Sequence, residues 1–157
     1  CIFIIENNKY GMGTSVERAS ASRDLSQNGA AWGIPGEQVN GMDVASVREA
    51  GERAVAHCRA GKGPYLLEMK TYRYRGHSMS DPAKYRTREE VQKMRETSDC
   101  IETARKALLD DFGVTEADLK VIDDEVKAIV QDSADFAQES PEPPESELMT
   151  DILVEVG

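Results

Sequence analysis

Hydrophobic residues mark two short strand-like segments and, between them, a helical repeat. Cys1–Ile5 is a continuous apolar run with β-branched residues, which is typical of a buried strand in a parallel sheet, and residues 64–72 (PYLLEMKTY) are predicted to form the second strand. After Asp43, a good N-cap, apolar residues recur at helical spacing as far as Cys58, and Gly61 then ends the pattern. This order of strand, loop, helix and strand predicts an α/β fold with a parallel sheet.

The segments between these elements carry weaker signals. Residues 6–22 are polar and contain glycines without a helical period, so they are predicted to form a loop. Residues 24–32 favour a short helix, and residues 34–40, which include a Pro-Gly pair, favour at best a short strand. His57 and Trp32 are expected in or beside the core rather than at a ligand.

The chain is predicted to be helical after residue 86. Thr87 and Glu90 have capping-box spacing, Asp99 and Thr115 are further N-caps, and prolines from Pro141 onward end the helices. The chain therefore divides into a partial α/β domain, a helical region and an acidic, proline-containing tail with a short terminal element: residues 1–86, 87–140 and 141–157.

The net charge of -10 is distributed unevenly. Residues 99–157 carry 17 acidic and 4 basic side chains, whereas residues 1–98 carry 12 acidic and 15 basic ones. The acidic half argues against nucleic acid as a partner, and the slightly basic half is where an anionic ligand is expected. The longest apolar run is too short to cross a membrane. Because residue 1 already lies within a strand-like run and is not Met, the chain is expected to begin inside a domain.

Two polar stretches follow the two strong strands, at the ends where parallel sheets bind ligands. In the first stretch, Asn8 offers a side-chain oxygen and Tyr10 a main-chain oxygen, a hard-oxygen pair suited to Mg²⁺. The second stretch contains Arg73, Arg75 and His77, which could bind phosphate and carry a proton. By strand alternation Arg73 and Arg75 are expected to share one face, and His77 continues it if the chain stays extended. Taken alone, the first stretch is better explained as an ordinary polar turn, and the second is explained equally well as a solvated basic loop.

Taken together, the two stretches are specific. IENNKYGMGTS, followed after one helix by KTYRYRGHSMSDP and YRTREE, closely resembles the α subunit of the E1 component of thiamine-diphosphate-dependent 2-oxo acid dehydrogenases. The similarity extends through the PEPP stretch, and it implies the C-terminal part of that family's cofactor-binding α/β domain and the helical region that follows it. The stretches YGMGTS and RGHSMSDP fit the pyruvate type better than the branched-chain or acetoin types.

The resemblance implies thiamine diphosphate and Mg²⁺ as cofactors, and it implies roles for individual residues. Asn8 and Tyr10 correspond to metal ligands, Arg73 to a basic residue at the diphosphate, and His77 to the active-site histidine near cofactor and substrate. The loop 73–86 corresponds to one that orders when cofactor binds. The Gly-Asp-Gly that opens the family's diphosphate motif is absent from this chain and is expected upstream, so the chain alone is expected to be inactive.

The resemblance also implies partners, regulation and location. The partners are a β subunit, in a heterotetramer of two α and two β chains, and a lipoyl-bearing E2 component; pyruvate is the substrate and no membrane is involved. Ser15 and Ser78 match positions that are phosphorylated in mitochondrial relatives, but Lys84 replaces a further such serine. That departure favours the bacterial cytoplasm over a mitochondrial matrix. A non-catalytic module that binds another subunit through its acidic helices is the alternative of a different class.

Overall fold

The computed structural model describes residues 1–153, which divide into a compact unit Cys1–Phe112 and a second unit from Gly113 onward. The first unit contains a three-stranded parallel sheet in the order β1-β5-β4 and a small antiparallel hairpin of β2 and β3. The strands are β1 (Ile2–Asn7), β2 (Tyr10–Gly11), β3 (Thr14–Ser15), β4 (Gly36–Asn40) and β5 (Tyr65–Lys70). The helices of this unit are α1 (Val16–Ala19), a 3₁₀ helix (Leu25–Trp32), α2 (Val44–Arg59), α3 (Arg88–Ser98) and α4 (Cys100–Asp111).

The core lies between the sheet and α2, as the hydrophobic pattern predicts. The Asp43 side chain accepts a hydrogen bond from the Ser46 amide and begins α2, and Gly61 follows its end with φ of 71°. The apolar face of α2 packs on alternate residues of the central strand and on its neighbour, and the buried cluster is Val39, Ala50, Ala54, Leu67 and Met69. The predicted strand, helix and strand are therefore confirmed.

Two predictions of burial are wrong. Phe3 and Ile4 of β1 are 47% and 64% exposed, and Trp32 is 82% exposed. The 3₁₀ helix packs on β4 and β5 on the face opposite α2, and it leaves the face of β1 open. Trp32, Phe3 and Ile4 consequently line one open apolar cleft. His57, in contrast, is half-buried against Tyr65, in an edge-to-face ring contact, as predicted for a residue at the boundary of the core.

The predicted loop 6–22 contains more regular structure than its composition indicates. The strand β1 extends to Asn7, and residues 10–19 form the β2–β3 hairpin and the single turn of α1. Lys9 and Met12 have positive φ values of 73° and 54°, which reverse the chain before and inside the hairpin. The short helix predicted for residues 24–32 is confirmed, although its hydrogen bonding is of the 3₁₀ type.

The helices after residue 86 begin at the predicted caps. Asp99 caps α4, and Thr115 forms a full capping box with Asp118 at the start of α5 (Glu116–Glu139). A second 3₁₀ helix covers Glu145–Met149. The terminal element predicted for residues 148–156 lies partly outside the described residues, and the predicted division at residues 86 and 140 stays a prediction. Among residues 1–153, none of the helices has the length and apolar character needed to cross a bilayer.

Candidate functional site

The two polar stretches meet because they leave adjacent parallel strands. Strand β1 pairs with β5 in register from Ile2–Tyr65 to Asn7–Lys70. Beyond the last pair, the Thr71 amide donates to the Asn7 carbonyl at 2.8 Å. Both stretches therefore begin at the carboxyl edge of the sheet, where ligands of parallel sheets bind.

In the first stretch, consecutive asparagines shape the turn. The Asn7 Oδ1 accepts from the Lys9 amide at 3.0 Å, and the Asn8 Oδ1 accepts from the Tyr10 amide at 3.2 Å. An amide oxygen has two lone pairs, so this contact leaves Asn8 one acceptor site. The Tyr10 ring packs against the Tyr85 ring at 5.1 Å between centroids, and this contact joins the first stretch to the second.

In the second stretch, the structure brings Arg73 and His77 together. The Arg73 Nη1 lies 3.0 Å from the His77 Nδ1. Arginine can only donate, so Nδ1 accepts and the ring carries its proton on Nε2. The expected strand alternation of Arg73 and Arg75 is wrong. The strand β5 ends at Lys70, and the chain bends at residues 74–75 instead of continuing as a strand.

Asp81 fixes the loop that carries His77. Its carboxylate accepts from the His77 amide at 2.7 Å, from the Ala83 amide at 2.8 Å and from the Tyr85 hydroxyl at 3.0 Å. Hydrogen bonds from the two amides hold the pKa of the Asp81 carboxyl below its ordinary value, so the anchor is ionised at neutral pH. Gly76 permits this close turn, since a Cβ there would lie 2.7 Å from the Asp81 carbonyl oxygen.

A cleft of about 410 Å³ opens between the two stretches, and His77, Ser78, Met12 and Gly13 are among the residues that line it. The Ser78 Oγ lies 3.0 Å from the Ser80 Oγ, also at this cleft. Ser15 lies on β3 opposite Tyr10. Of the two serines predicted as regulatory, Ser78 is therefore the one beside His77.

Glu90 and Arg86 join the two stretches, and sequence reasoning assigned them no role in the site. The Glu90 Oε1 accepts from the Tyr72 hydroxyl at 2.9 Å and from the Tyr10 hydroxyl at 3.5 Å. The Arg86 guanidinium lies over the Tyr72 ring at 5.2 Å and donates to the Arg73 carbonyl. Burial and the hydrogen bond to the Glu90 carboxylate raise the pKa of Tyr72 to about 12, so its hydroxyl remains a donor at neutral pH.

These contacts correct the predicted capping box. The Thr87 Oγ1 accepts from the Glu90 amide at 3.1 Å, which caps α3 as predicted. The Glu90 carboxylate, however, faces the two tyrosine hydroxyls rather than closing the box on the Thr87 amide. Thr87 and Glu90 have the same spacing whether Glu90 closes a capping box or contacts the tyrosines, so only the fold distinguishes the two arrangements.

The donor set fits the ligands that the resemblance implies. Among residues 1–153 there is no group of three or more His, Cys, Asp or Glu side chains placed to hold a metal ion. The oxygens of Asn8 and Tyr10 are hard donors that suit Mg²⁺ when a phosphate supplies further oxygens. Arg73, at the same edge of the sheet, can donate to phosphate oxygens.

Comparisons with known proteins show the family to which the chain belongs. The model of the family described as dehydrogenase E1 component matches residues 1–146. The chain is 64% identical over 153 residues to the pyruvate dehydrogenase E1 component subunit alpha of Rhizobium meliloti, covering 98% of this chain and 44% of that protein. It is 54% identical over 153 residues to the subunit of the same name from Zymomonas mobilis, covering 98% of this chain and 43% of that protein.

A mitochondrial relative is similar over almost the same length. The somatic form of the pyruvate dehydrogenase E1 component subunit alpha from Bos taurus is 54% identical over 149 residues, covering 94% of this chain and 38% of that protein. The chain thus spans less than half of the length of each of these three relatives.

Proposed function

The chain belongs to the dehydrogenase E1 component family, and we propose that it forms part of the α subunit of a pyruvate dehydrogenase. The proposed reaction is the oxidative decarboxylation of pyruvate with thiamine diphosphate and Mg²⁺, followed by transfer of the acetyl group to a lipoyl-bearing E2 component. The observation that carries this proposal is the convergence of the Asn8–Tyr10 stretch and the Arg73–His77 stretch at one edge of the sheet. Relatives with pyruvate in their names match almost the whole chain and support the choice of substrate.

The chain's own residues would bind and orient the reactants. The Asn8 side-chain oxygen and the Tyr10 main-chain oxygen would hold the metal, and Arg73 would donate to the diphosphate. When bound, thiamine diphosphate supplies the electron sink that lets CO₂ leave a 2-oxo acid. His77, held by Arg73 through its Nδ1, would donate a hydrogen bond from its Nε2 to the substrate.

The competing assignments differ in an observable way. A branched-chain 2-oxo acid or acetoin dehydrogenase would use the same cofactor site with a different substrate pocket. The function of a non-catalytic subunit-interaction module would not require both the asparagine turn and the Arg73–His77 pair. Neither alternative appears among the names of the relatives reported above.

The first prediction concerns the substrate. The complete subunit, co-expressed with its β subunit, is expected to use pyruvate with a kcat/KM at least about tenfold above that for 2-oxoisovalerate, since a pocket discriminates single carbon groups by this order. Reduction of an artificial electron acceptor measures both substrates, and acetoin is tested beside them. A preference for 2-oxoisovalerate or acetoin would contradict the pyruvate assignment, and no thiamine-dependent activity with any substrate would favour the non-catalytic module.

We further propose a β subunit as the structural partner, because α5 has an unpaired apolar face among the described residues. Ile122, Val126, Ile129 and Phe136 recur at helical spacing and are 51%, 52%, 68% and 73% exposed. Helix faces of this kind normally pack against another element. The helix has eight acidic and two basic residues, so repulsion disfavours a second copy of α5 and favours a partner with basic residues around an apolar contact.

The second prediction tests that contact. In the co-expressed complete subunits, Ile129→Asp is expected to raise the dissociation constant of the heterotetramer by about tenfold or more, because burying an isoleucine contributes about 1.5–3 kcal/mol. Gln131→Glu adds the same charge at a polar position of α5 and is the matched control. Light scattering across a dilution series measures assembly. If both variants and the parent have the same dissociation constant, α5 does not lie in the interface.

Location and regulation complete the proposal. We propose the bacterial cytoplasm, because the 64% identical relative is bacterial, and not the mitochondrial matrix that the mitochondrial relative would suggest. Ser78 is the proposed regulatory position, since it lines the same cleft as His77, and Ser15 is the weaker candidate. A phosphate on Ser78 would add about -1.5 to -2 charge beside the diphosphate site.

A further inference from the structure

The central strand carries a carboxylate that is completely buried. Glu68 lies in the middle of β5 and is 0% exposed. Its neighbours along the strand, Leu67 and Met69, face the core under α2, so the alternation of the strand places Glu68 on the opposite face. The 3₁₀ helix covers β5, and its Ser26 is 2% exposed.

Each of the hydrogen bonds that Glu68 accepts comes from an uncharged group. The Oε1 accepts from the Asn7 Nδ2 at 2.7 Å, and the Oε2 accepts from the Ser26 amide at 3.0 Å and the Gln38 Nε2 at 2.9 Å. Glu68 therefore connects the end of β1, the middle of β4 and the start of the 3₁₀ helix through one side chain. The two carboxyl oxygens together accept from all three donors.

A buried carboxyl group among uncharged partners is a costly way to fill the sheet. An apolar residue of similar volume would usually leave the fold equally stable or more stable. Departures from the local rule of an apolar strand interior tend to mark functional positions. The donors of Glu68 indicate which function it serves.

The contact with Asn7 leads directly to the proposed metal ligands. Asn7 uses its Nδ2 for Glu68 and its Oδ1 for the Lys9 amide, so both ends of its side chain are held. Lys9 adopts the left-handed conformation, with φ of 73°, and its carbonyl accepts from the Val16 amide at 2.9 Å. Such a backbone conformation persists in a non-glycine residue when its surroundings hold it.

We propose that Glu68 is a positioning residue that fixes Asn7 and, through it, the turn that presents Asn8 and Tyr10 to the metal. The inference rests on the proposed function for the identity of the ligand, but the fixing of the turn does not depend on any ligand. Glu68 contacts neither substrate nor cofactor. It acts on the metal site indirectly, by holding Asn7, as residues outside the ligand shell commonly do.

The test uses Glu68→Gln in the complete subunit assembled with its β subunit. An amide has one acceptor oxygen, so its NH₂ group must face a donor, either Asn7 or the Ser26 and Gln38 pair. The expected result is faster amide hydrogen exchange in the peptide that contains residues 7–10, measured without cofactor. The dissociation constant for Mn²⁺, measured by electron paramagnetic resonance with thiamine diphosphate present, is expected to rise by about tenfold.

A second substitution separates positioning from general damage. In Glu68→Gln/Asn7→Asp, the new Gln can donate to the new Asp, whose other oxygen still accepts from the Lys9 amide, and the net charge equals that of the parent. This double variant is expected to recover parental exchange and Mn²⁺ affinity. Glu37→Gln, which makes the same chemical change where β4 contacts α2 through Arg53, is the control and is expected to change neither quantity.

The outcomes distinguish this inference from the proposed function. Parental exchange and Mn²⁺ affinity in Glu68→Gln, or no recovery in the double variant, would overturn the positioning role. A lower melting temperature with unchanged exchange at residues 7–10 would also overturn it. If the parent enzyme binds no Mn²⁺ with thiamine diphosphate, the proposed function is refuted. If the variants nevertheless show the exchange pattern above, the role of Glu68 in positioning the turn still holds.

Discussion

Replacing His77 by alanine in the assembled enzyme is expected to lower kcat with pyruvate by about 10²-fold or more, the order lost when one preorganised hydrogen-bond donor is removed from a reaction site. The structure supplies the reason, because Arg73 occupies the Nδ1 and leaves the ring proton on Nε2. Alanine removes that proton and also leaves Arg73 without its partner. Steady-state oxidation of pyruvate at saturating cofactor measures the loss.

The adjacent residue provides the control for this prediction. Ser78→Ala removes a hydroxyl at the same cleft, and its hydrogen-bond partner is another exposed serine hydroxyl that water can satisfy. Its kcat is therefore expected to stay close to that of the parent. If His77→Ala and Ser78→Ala have equal effects, or if His77→Ala is fully active, His77 does not donate the hydrogen bond to the substrate.

The proton assignment also predicts how Arg73 contributes. If Arg73 acts only on the diphosphate, its loss affects cofactor affinity, whereas a contact that selects the tautomer of His77 also affects turnover. Because the Arg73 Nη1 lies 3.0 Å from the His77 Nδ1, a substitution of Arg73 is expected to change both cofactor affinity and turnover. The proposed site is therefore coupled, and the effects of substitutions at Arg73 and His77 are not expected to add.

The elements that the sequence predicted well are those whose signals are local. Asp43 and Gly61 bracket α2, and the apolar run around Leu67 gives β5, because caps and periodicity depend on neighbouring residues. The exposure of Trp32 and Ile4 could not be predicted in this way. Whether an apolar residue is covered depends on which element packs above it, and that is a property of the tertiary fold.

The candidate site shows the same division. The pattern of residue types made Asn8, Arg73 and His77 candidates, and the parallel order of the strands predicted that their loops would meet. The sequence pattern could not identify Glu68, because its partner Asn7 is 61 positions away in the chain. Nor could it identify the role of Glu90, since the same spacing from Thr87 serves a cap or a contact with distant tyrosines.

The path of the chain after β5 was mispredicted for a further physical reason. A strand continues only while neighbouring strands offer hydrogen-bond partners. Asn7 of β1 and Asn40 of β4 are both the last residues to pair with β5, and both pair with Lys70. Beyond the Thr71 amide, which still donates to the Asn7 carbonyl, the strand pairing ends on both sides, so the expected alternation of Arg73 and Arg75 does not persist.

Asn8→Ala in the assembled enzyme is expected to weaken metal-dependent binding of thiamine diphosphate by on the order of 10–100-fold, while lowering kcat less at saturating cofactor. An oxygen ligand is lost, and Mg²⁺ demands nearly ideal geometry from the few protein oxygens it binds. Titration of thiamine diphosphate at several Mg²⁺ concentrations measures the effect.

Asn40 offers a closely matched control, because it ends the parallel strand β4 at the same edge of the sheet where Asn8 directly follows β1. Its Oδ1 accepts from the Met42 amide at 3.1 Å, just as the Asn8 Oδ1 accepts from the Tyr10 amide at 3.2 Å. Asn40→Ala therefore removes the same kind of turn contact and is expected to have a similar effect on stability. Only Asn8→Ala should change the titration, and coincident curves for both variants and the parent would show that Asn8 does not bind the metal.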